Sequence, residues 1–351
     1  MSFIKKPKAR HPLLPVNDLD LTVRDYEGSM STLCAGCGHD SITSAIVEAA
    51  WASSIPTHRF AKLSGIGCSS KTPAYFLRDS HGFNSTHGRM PSVATGANSA
   101  NRDLCYIGVS GDGDSLSIGM GQFAHVIRRN LNMTYLIENN GVYGLTKGQF
   151  SAAADQGSTA KRGEVNLQSA IDPCATAITL GASFVARSFS GDKEQLVPIL
   201  MAAFRHRGFA LLDIISPCVT FNDHEGSTKS YKHAREHFMP AIAADFVPPA
   251  EEIKARYDEG EAMPVELHDG SHIVLRKLAK DYDPLDRVNA IQNLMRNNAA
   301  GEITTGILFL DESQPDMHEL NNTSKTPLID LPYEKLNPGN EMLQKIQSRF
   351  R

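Results

Sequence analysis

The sequence predicts an α/β fold in which a doubly wound, mostly parallel sheet carries helices on both faces. Two almost wholly apolar runs, 104–110 and 133–138, have the composition of strands that are buried on both faces. Between them, Leu116, Phe123 and Ile127 recur at helical spacing, so a helix packs one face on the sheet. Strand, helix and strand form a βαβ unit, and such units bind ligands beyond the carboxyl ends of their strands.

The composition is that of a globular chain with one large or two smaller domains. It has 351 residues, 41% of them hydrophobic, and a net charge of -4, which gives no reason to expect a nucleic-acid partner. No apolar run approaches the roughly 18 residues of a membrane span. The first residues lack the apolar segment of a secretory signal. We therefore expect a cytoplasmic protein with no membrane partner.

Prolines and composition divide the chain into three regions. Residues 1–30 form an irregular N-terminal arm that is broken by Pro7, Pro12 and Pro15. Residues 31–240 form the α/β domain. From residue 241 onward the chain becomes acidic and proline-punctuated, and we expect residues 241–351 to be a C-terminal extension and tail.

The other elements of the α/β domain follow in chain order. A helix begins after Cys37, a strand covers 60–63, and a helix of small residues follows the loop of His87 and Arg89. Residues 178–190 have the composition of a strand. Asp192 is the expected N-cap of a helix at 193–207, and residues 209–215 form the next buried strand.

The C-terminal extension also contains strands and a helix. Strands are expected at 271–278 and 303–310, with a helix between them that Pro284 opens. Apolar residues recur along this helix and predict its buried face: Leu285, Val288, Ile291 and Met295.

The turn after each strand of the βαβ unit carries oxygen ligands. Asp112 lies between two glycines at the end of the first strand, and Asn140 lies at the end of the second. Glycines let backbone amides approach an anion closely, and the Asp and Asn oxygens suit a magnesium ion shared with phosphate. An ordinary glycine turn and an Asn-Gly turn are the alternative. A nicotinamide site is weaker, because the third glycine of GxGxxG is missing.

The stretch that starts at Gly111, with GDG, 25 residues and then NN, resembles the thiamine diphosphate motif. This resemblance implies the diphosphate domain of the thiamine diphosphate-binding fold. It also implies that Asp112, Asn140 and the carbonyl of Val142 hold magnesium.

The six cysteines do not suggest a disulfide framework, because the chain is long and no export signal is visible. Cys34 and Cys37 form a CxxC pair at a helix N-terminus, which on its own suits zinc, a dithiol or an iron-sulfur cluster. Cys68 and Cys218 stand at strand ends, so these four thiols can meet on one side of the sheet. Four thiolates are the usual complement of a 4Fe-4S cluster. The other two cysteines are expected in the core.

Four motifs in this order, CAGCGH, GIGCSSK, GDGD to NN and SPCVTFND, resemble the beta subunit of 2-oxoacid:ferredoxin oxidoreductases. The resemblance covers residues 33–223 and, more loosely, the chain as far as residue 311. It implies that one 4Fe-4S cluster is bound by Cys34, Cys37, Cys68 and Cys218. It implies that thiamine diphosphate is lined by Ile66, Gly67, Cys68, Ser69, Gly113, Asp114, Gly144 and Leu145.

Two further residues are catalytic candidates. Lys71, three residues after Cys68, can pair with a substrate carboxylate, and a solvated surface lysine is the equal alternative. His39 can approach the cofactor, although a histidine at a helix start is often a capping or packing group. His87 and Arg89 lie in a loop that can face the site, with a structural turn as the favoured interpretation.

The resemblance implies a reaction: oxidative decarboxylation of a 2-oxo acid with coenzyme A, or the reverse carboxylation, with electrons passed to ferredoxin. The C-terminal piece is most similar to the 2-oxoglutarate branch, and pyruvate is the alternative substrate. The implied partner is an alpha subunit that carries the pyrimidine-binding domain, in alpha-beta pairs that dimerise. Alternatives of other classes are a non-oxidative thiamine diphosphate decarboxylase or ligase and a zinc-stabilised interaction domain.

Overall fold

The structure is a computed structural model and describes residues 11, 13–159, 163–219, 252–268, 272–337 and 339–350. Its strands, in chain order, are β1 (Phe60–Ser64), β2 (His81–Asn84), β3 (Cys105–Gly111), β4 (Met133–Asn139), β5 (Val142–Tyr143), β6 (Gln149–Phe150), β7 (Phe184–Phe189), β8 (Phe209–Ile215), β9 (Ala262–Glu266), β10 (His272–Lys277) and β11 (Glu302–Leu310). Within the described ranges, nine of these strands form one sheet, and β5 and β6 form a separate ribbon.

The sheet is mostly parallel, with the order β2-β1-β3-β4-β8-β7-β11-β10-β9. All pairs from β2 to β7 are parallel. β11 is antiparallel to β7, and it extends the sheet through β10 to the antiparallel edge strand β9. The strand order reverses between β1 and β3, since β2 follows β1 on one side and β4 follows β3 on the other. Such a reversal point is where open α/β sheets bind ligands.

Helices pack on both faces of this sheet. The α-helices of the described residues, in chain order, are α1 (Gly38–Ala52), α2 (Met90–Ala100), α3 (Met120–Arg128), α4 (Pro173–Leu180), α5 (Lys193–Arg205), α6 (Arg287–Ala299), α7 (Met317–Leu320), α8 (Tyr333–Leu336) and α9 (Gly339–Gln347), of which the last two bury no residue. Ile42 of α1 and Leu196 of α5 belong to one buried cluster. Phe123 of α3 and Leu294 of α6 belong to another. The predicted doubly wound α/β class is therefore confirmed.

The expected strand at 178–190 is wrong in its first part. Ile178 is the third-last residue of α4, and the strand begins only at Phe184. Asp172 caps this helix by accepting the N–H groups of Cys174 and Ala175, and Gly181 ends it at φ 92°. The apolar, β-branched composition of the helix favoured a strand, but its caps determined the structure.

The buried face expected for the helix after Pro284 is wrong at three of its four positions, since Ile291 alone of the four packs against the core. Leu285, Val288 and Met295 are 66%, 64% and 66% exposed. Asp286 caps the helix, which buries Ala290 and Leu294 against the sheet. Periodicity identified the helix correctly, but a different stripe faces the core.

Parts of the predicted regions lie outside the described residues. These parts are residues 1–10 and 12 of the N-terminal arm, residues 160–162 and 220–240 of the α/β domain, and residues 241–251, 269–271, 338 and 351 of the C-terminal extension, where Ser271 starts an expected strand. The division at residues 30 and 240 stays a prediction. Among the helices that the structure describes, none is both long and apolar enough to cross a membrane.

Candidate functional site

A cleft opens where the strand order reverses, beyond the carboxyl ends of β1, β3 and β4. Three segments supply most of its lining, namely the turn after β1, the turn after β3 and the segment after β4, and His39 and His87 complete it. The residues that the resemblance assigns to magnesium and cofactor are all in this lining: Ile66, Gly67, Cys68, Ser69, Asp112, Gly113, Asp114, Asn140, Val142, Gly144 and Leu145. The fold thus brings together residues that are up to 79 positions apart in the sequence.

Hydrogen bonds connect the three residues that the resemblance assigns to magnesium. Asp112 is 1% exposed, accepts the N–H of Asn140 at 3.4 Å and accepts a short hydrogen bond from the hydroxyl of Ser151. The side-chain oxygen of Asn140 accepts the N–H of Val142 at 3.1 Å. Burial raises the pKa of Asp112 to about 6 because it disfavours the charged carboxylate. A cation bound beside Asp112 would stabilise that charged form. These oxygen donors fit magnesium.

A buried charge network holds the strand end that carries Asn140. The Asn139 amide donates to Asp213 Oδ1 at 3.0 Å, and Arg187 Nε donates to Asp213 Oδ2 at 2.7 Å. Arg187 Nη2 also lies 2.6 Å from Asp172 Oδ1. Arg187 and Asp213 are 4% and 0% exposed. Breaking this ion pair would leave a buried charge without a partner, which costs much free energy. The network therefore fixes the position of the Asn139–Asn140 turn.

Asp114 lines the cleft, but its carboxylate is already bonded on both oxygens. Oδ1 accepts the N–H of Gly88 at 2.9 Å and lies 3.0 Å from His87 Nδ1. Oδ2 accepts the hydroxyl of Ser110 at 2.8 Å. Asp114 therefore joins the His87–Gly88 loop to the end of β3, in addition to lining the cleft.

Gly65→Ala is expected to destabilise the protein through Asp114. A Cβ at Gly65 would lie 1.9 Å from Asp114 Oδ2, and the three hydrogen bonds of that carboxylate prevent a cheap displacement. We expect the free energy of unfolding to fall by about 1–3 kcal/mol, measured by chemical denaturation.

The matched control for this substitution is Gly121→Ala in α3, where no atom lies within 4 Å of the added Cβ. Alanine in a helix gains up to about 1 kcal/mol over glycine, so this variant should be at least as stable as the wild type. Equal stability of the Gly65 and Gly121 variants would contradict the tight packing around Asp114.

His39 lines the cleft but is almost fully buried. Its Nδ1 lies 2.6 Å from Ser216 Oγ and 3.4 Å from Glu138 Oε2. Burial lowers the pKa of His39 to about 4 and raises the pKa of Glu138 well above its usual value, so the neutral form of each is favoured. Glu138 also lines the cleft and was not predicted. Its only signal in the sequence is a carboxyl residue near the end of an apolar strand.

Lys71 is not in the lining of the cleft. It is exposed in a 3-10 turn, Ser69–Ala74, directly after Cys68. Burial raises the pKa of Cys68, and the Lys71 ammonium partly opposes that rise. The structure therefore places Lys71 beside the cysteines.

The four cysteines that the resemblance assigns to a cluster come together from three parts of the chain. Cys37 is the N-cap of α1, and the next residue donates its N–H to the carbonyl of Pro217 at 3.5 Å. Burial raises the pKa of Cys37 to about 12, and the charge of Cys218 contributes. Burial is also the main cause of the raised pKa of Cys68, to which Cys218 and Cys34 add. Each of the four thiols thus lies within electrostatic range of another.

These four thiols fit the usual ligand set of a 4Fe-4S cluster. Among the residues that the structure describes, no three His, Cys, Asp or Glu side chains converge where one ion could bind. A 4Fe-4S cluster offers a separate iron to each thiolate, so its ligands need not converge on one point. Because metals bind the thiolate, the positive charge of iron would also reverse the rise in thiol pKa.

Comparison with known proteins gives matches to a thiamine pyrophosphate enzyme domain and to 2-oxoacid:ferredoxin oxidoreductase subunits. Residues 65–214 match the family described as thiamine pyrophosphate enzyme, C-terminal TPP binding domain. The 2-oxoacid:ferredoxin oxidoreductase subunit beta of a Sulfolobus species is 41% identical over 191 residues, which cover 54% of this chain and 63% of that protein. The 2-oxoglutarate synthase subunit KorB of Methanocaldococcus jannaschii is 35% identical over 189 residues, which cover 54% of this chain and 69% of that protein.

A solved structure is similar over most of the chain. It is the 2-oxoglutarate:ferredoxin oxidoreductase from Magnetococcus marinus with 2-oxoglutarate, coenzyme A and succinyl-CoA bound. The TM-score is 0.68 at 30% identity, and the match covers 86% of this chain and 89% of that one. By contrast, the matched sequence spans less than two thirds of the Sulfolobus protein, 63%.

The sheet, its reversal point and the matched domain define a thiamine diphosphate-binding fold. The family resemblance that the four sequence motifs predict is confirmed by the identity and coverage of these relatives. The chain belongs to the family of 2-oxoacid:ferredoxin oxidoreductase beta subunits.

Proposed function

We propose that this chain is the beta subunit of a 2-oxoglutarate:ferredoxin oxidoreductase. In this reaction 2-oxoglutarate, coenzyme A and two oxidised ferredoxins give succinyl-CoA, carbon dioxide, a proton and two reduced ferredoxins, and the reverse carboxylation uses the same site. The observation that carries the proposal is that Cys68 belongs both to the lining of the cofactor cleft and to the group of four thiols.

The residues of the cleft would hold the cofactor by its diphosphate. Bound thiamine diphosphate supplies the carbanion chemistry that decarboxylation of a 2-oxo acid requires. Asp112, Asn140 and the carbonyl of Val142 would hold magnesium, which would supply positive charge to offset that of the diphosphate. Gly113 is needed beside them, since a Cβ there would lie 2.5 Å from the ring of Tyr143.

The four thiols distinguish this function from a non-oxidative one. Oxidation of the substrate removes two electrons, whereas a 4Fe-4S cluster accepts one at a time. A cluster beside the cofactor is useful when electrons leave singly towards a carrier such as ferredoxin. A non-oxidative thiamine diphosphate decarboxylase or ligase needs no such group, so the thiols favour the oxidoreductase.

The relatives guide the choice of substrate and partners. KorB of Methanocaldococcus jannaschii and the Magnetococcus marinus enzyme are both named for 2-oxoglutarate, which supports this substrate over pyruvate. The name subunit beta supports an alpha subunit that carries the pyrimidine-binding domain, and we propose a dimer of alpha-beta pairs. We place the reaction in the cytoplasm, where thiols stay reduced.

The test is a cofactor and turnover assay on the complex, co-expressed with the alpha subunit and purified without oxygen. We expect about four irons and four sulfides per chain, together with one thiamine diphosphate. The visible absorbance of the cluster should bleach only when 2-oxoglutarate and coenzyme A are both present. Thiamine without iron would favour a non-oxidative enzyme, and zinc in place of iron would favour an interaction domain.

A further inference from the structure

The cofactor cleft has an unused group at its mouth, the imidazole of His87. Its side chain is 50% exposed, whereas the acidic residues around the cleft are buried, with Asp112 at 1% and Asp114 at 3%. Its Nδ1 lies 3.0 Å from Asp114 Oδ1. This contact leaves Nε2 as the nitrogen that is open to a ligand.

The cleft is lined by more acidic than basic side chains. Its described lining contains three carboxyl residues, Asp112, Asp114 and Glu138. The basic side chains in that described lining are those of His39 and His87. His39 is 1% exposed and its Nδ1 is engaged by Ser216. His87, at 50% side-chain exposure, is therefore the basic group in the lining that an anionic substrate can reach.

We propose that His87 binds a carboxylate of the 2-oxo acid through Nε2, with Asp114 as the positioning residue. The inference deepens the proposed function and rests on it. An imidazolium donates one N–H from each ring nitrogen. The Nδ1–H donated to Asp114 orients the ring, and Nε2–H donates to the substrate. Asp114 is itself fixed, because Ser110 and the N–H of Gly88 bond to it.

The test uses two variants of His87, each of which keeps a nitrogen at the place of one of the two imidazole nitrogens. In His87→Asn the side-chain amide occupies the place of Nδ1 and keeps the donor to Asp114, but Nε2 is gone. In His87→Gln the amide reaches the place of Nε2, but it is neutral and the contact with Asp114 is lost. The matched control is His125→Gln, at an exposed position in the last turn of α3. All are made in the holoenzyme with its alpha subunit.

Steady-state ferredoxin reduction is measured with 2-oxoglutarate and with 2-oxobutyrate, which lacks the distal carboxylate. We expect His87→Asn to raise KM for 2-oxoglutarate by about tenfold or more, as for loss of a hydrogen bond to a charged group. His87→Gln should raise it less, and His125→Gln should match the wild type. A rise with both substrates assigns the carboxylate next to the oxo group, and a rise with 2-oxoglutarate alone assigns the distal one.

Three results would overturn the inference. The first is an unchanged KM in both His87 variants. The second is a thiamine diphosphate dissociation constant that rises as much as KM, since His87 would then contact the cofactor. The third is a wild-type holoenzyme with no turnover, which refutes the proposed function as well. If His87→Asn fails to fold by circular dichroism, KM in His87→Gln decides.

Discussion

Replacing Asp112 by alanine is expected to abolish the binding of magnesium and thiamine diphosphate. Loss of a residue that only hydrogen-bonds to a metal ligand lowers metal affinity by about 10–100-fold. Loss of the anionic ligand itself should therefore lower magnesium affinity by roughly 100-fold or more. The fold should persist, because the wild-type carboxylate is a desolvated group whose pKa is raised by burial to about 6. We expect the metal-free variant and the metal-free wild type to differ by only about 1 kcal/mol in unfolding free energy.

The measurements are thiamine content after purification and magnesium affinity by calorimetry. Asp103→Ala is the matched control, since Asp103 is an exposed aspartate before the opposite end of the same strand, β3. That variant should keep both cofactors. A normal thiamine content in Asp112→Ala would remove Asp112 from the site.

The elements around the site were predictable because their signals are local. The strand at 209–215 is observed with the predicted bounds, since a short apolar run after a glycine leaves few alternatives. The helix that follows Asp192 begins at Lys193, as expected from its N-cap, whose carboxylate accepts the N–H of Gln195. Strand ends then bring the motif residues together, because parallel strands share one carboxyl edge.

The contacts that connect these segments were not predictable from the sequence. The hydrogen bond between His87 and Asp114 spans 27 positions, and the one between His39 and Ser216 spans 177. A sequence pattern shows that a helix has an apolar stripe but not which part of it another element covers. The prediction that Val288 is buried was wrong for this reason. For the same reason, Glu138 was missed, since only the fold shows that it faces the cleft.

Cys218→Ala is expected to cost the cluster while the cofactor cleft remains occupied. Four thiolates usually hold a 4Fe-4S cluster, and the substitution leaves one of its irons without a protein thiolate. Iron should therefore fall well below the about four atoms of the intact cluster. Cys218 is absent from the lining of the cofactor cleft, so thiamine content should not change. Iron, sulfide and thiamine are assayed on the same anaerobic preparation.

Cys105→Ala is the control, because Cys105 lies at the start of β3 and packs against the apolar cluster around α1 and α5. It should keep the full iron content at a modest loss of stability, about 1 kcal/mol. A full iron content in Cys218→Ala would exclude Cys218 as a ligand. Loss of iron and thiamine together would mean that the cysteine turn supports the whole cleft, whereas loss of iron alone shows two sites that share only the Cys68 turn.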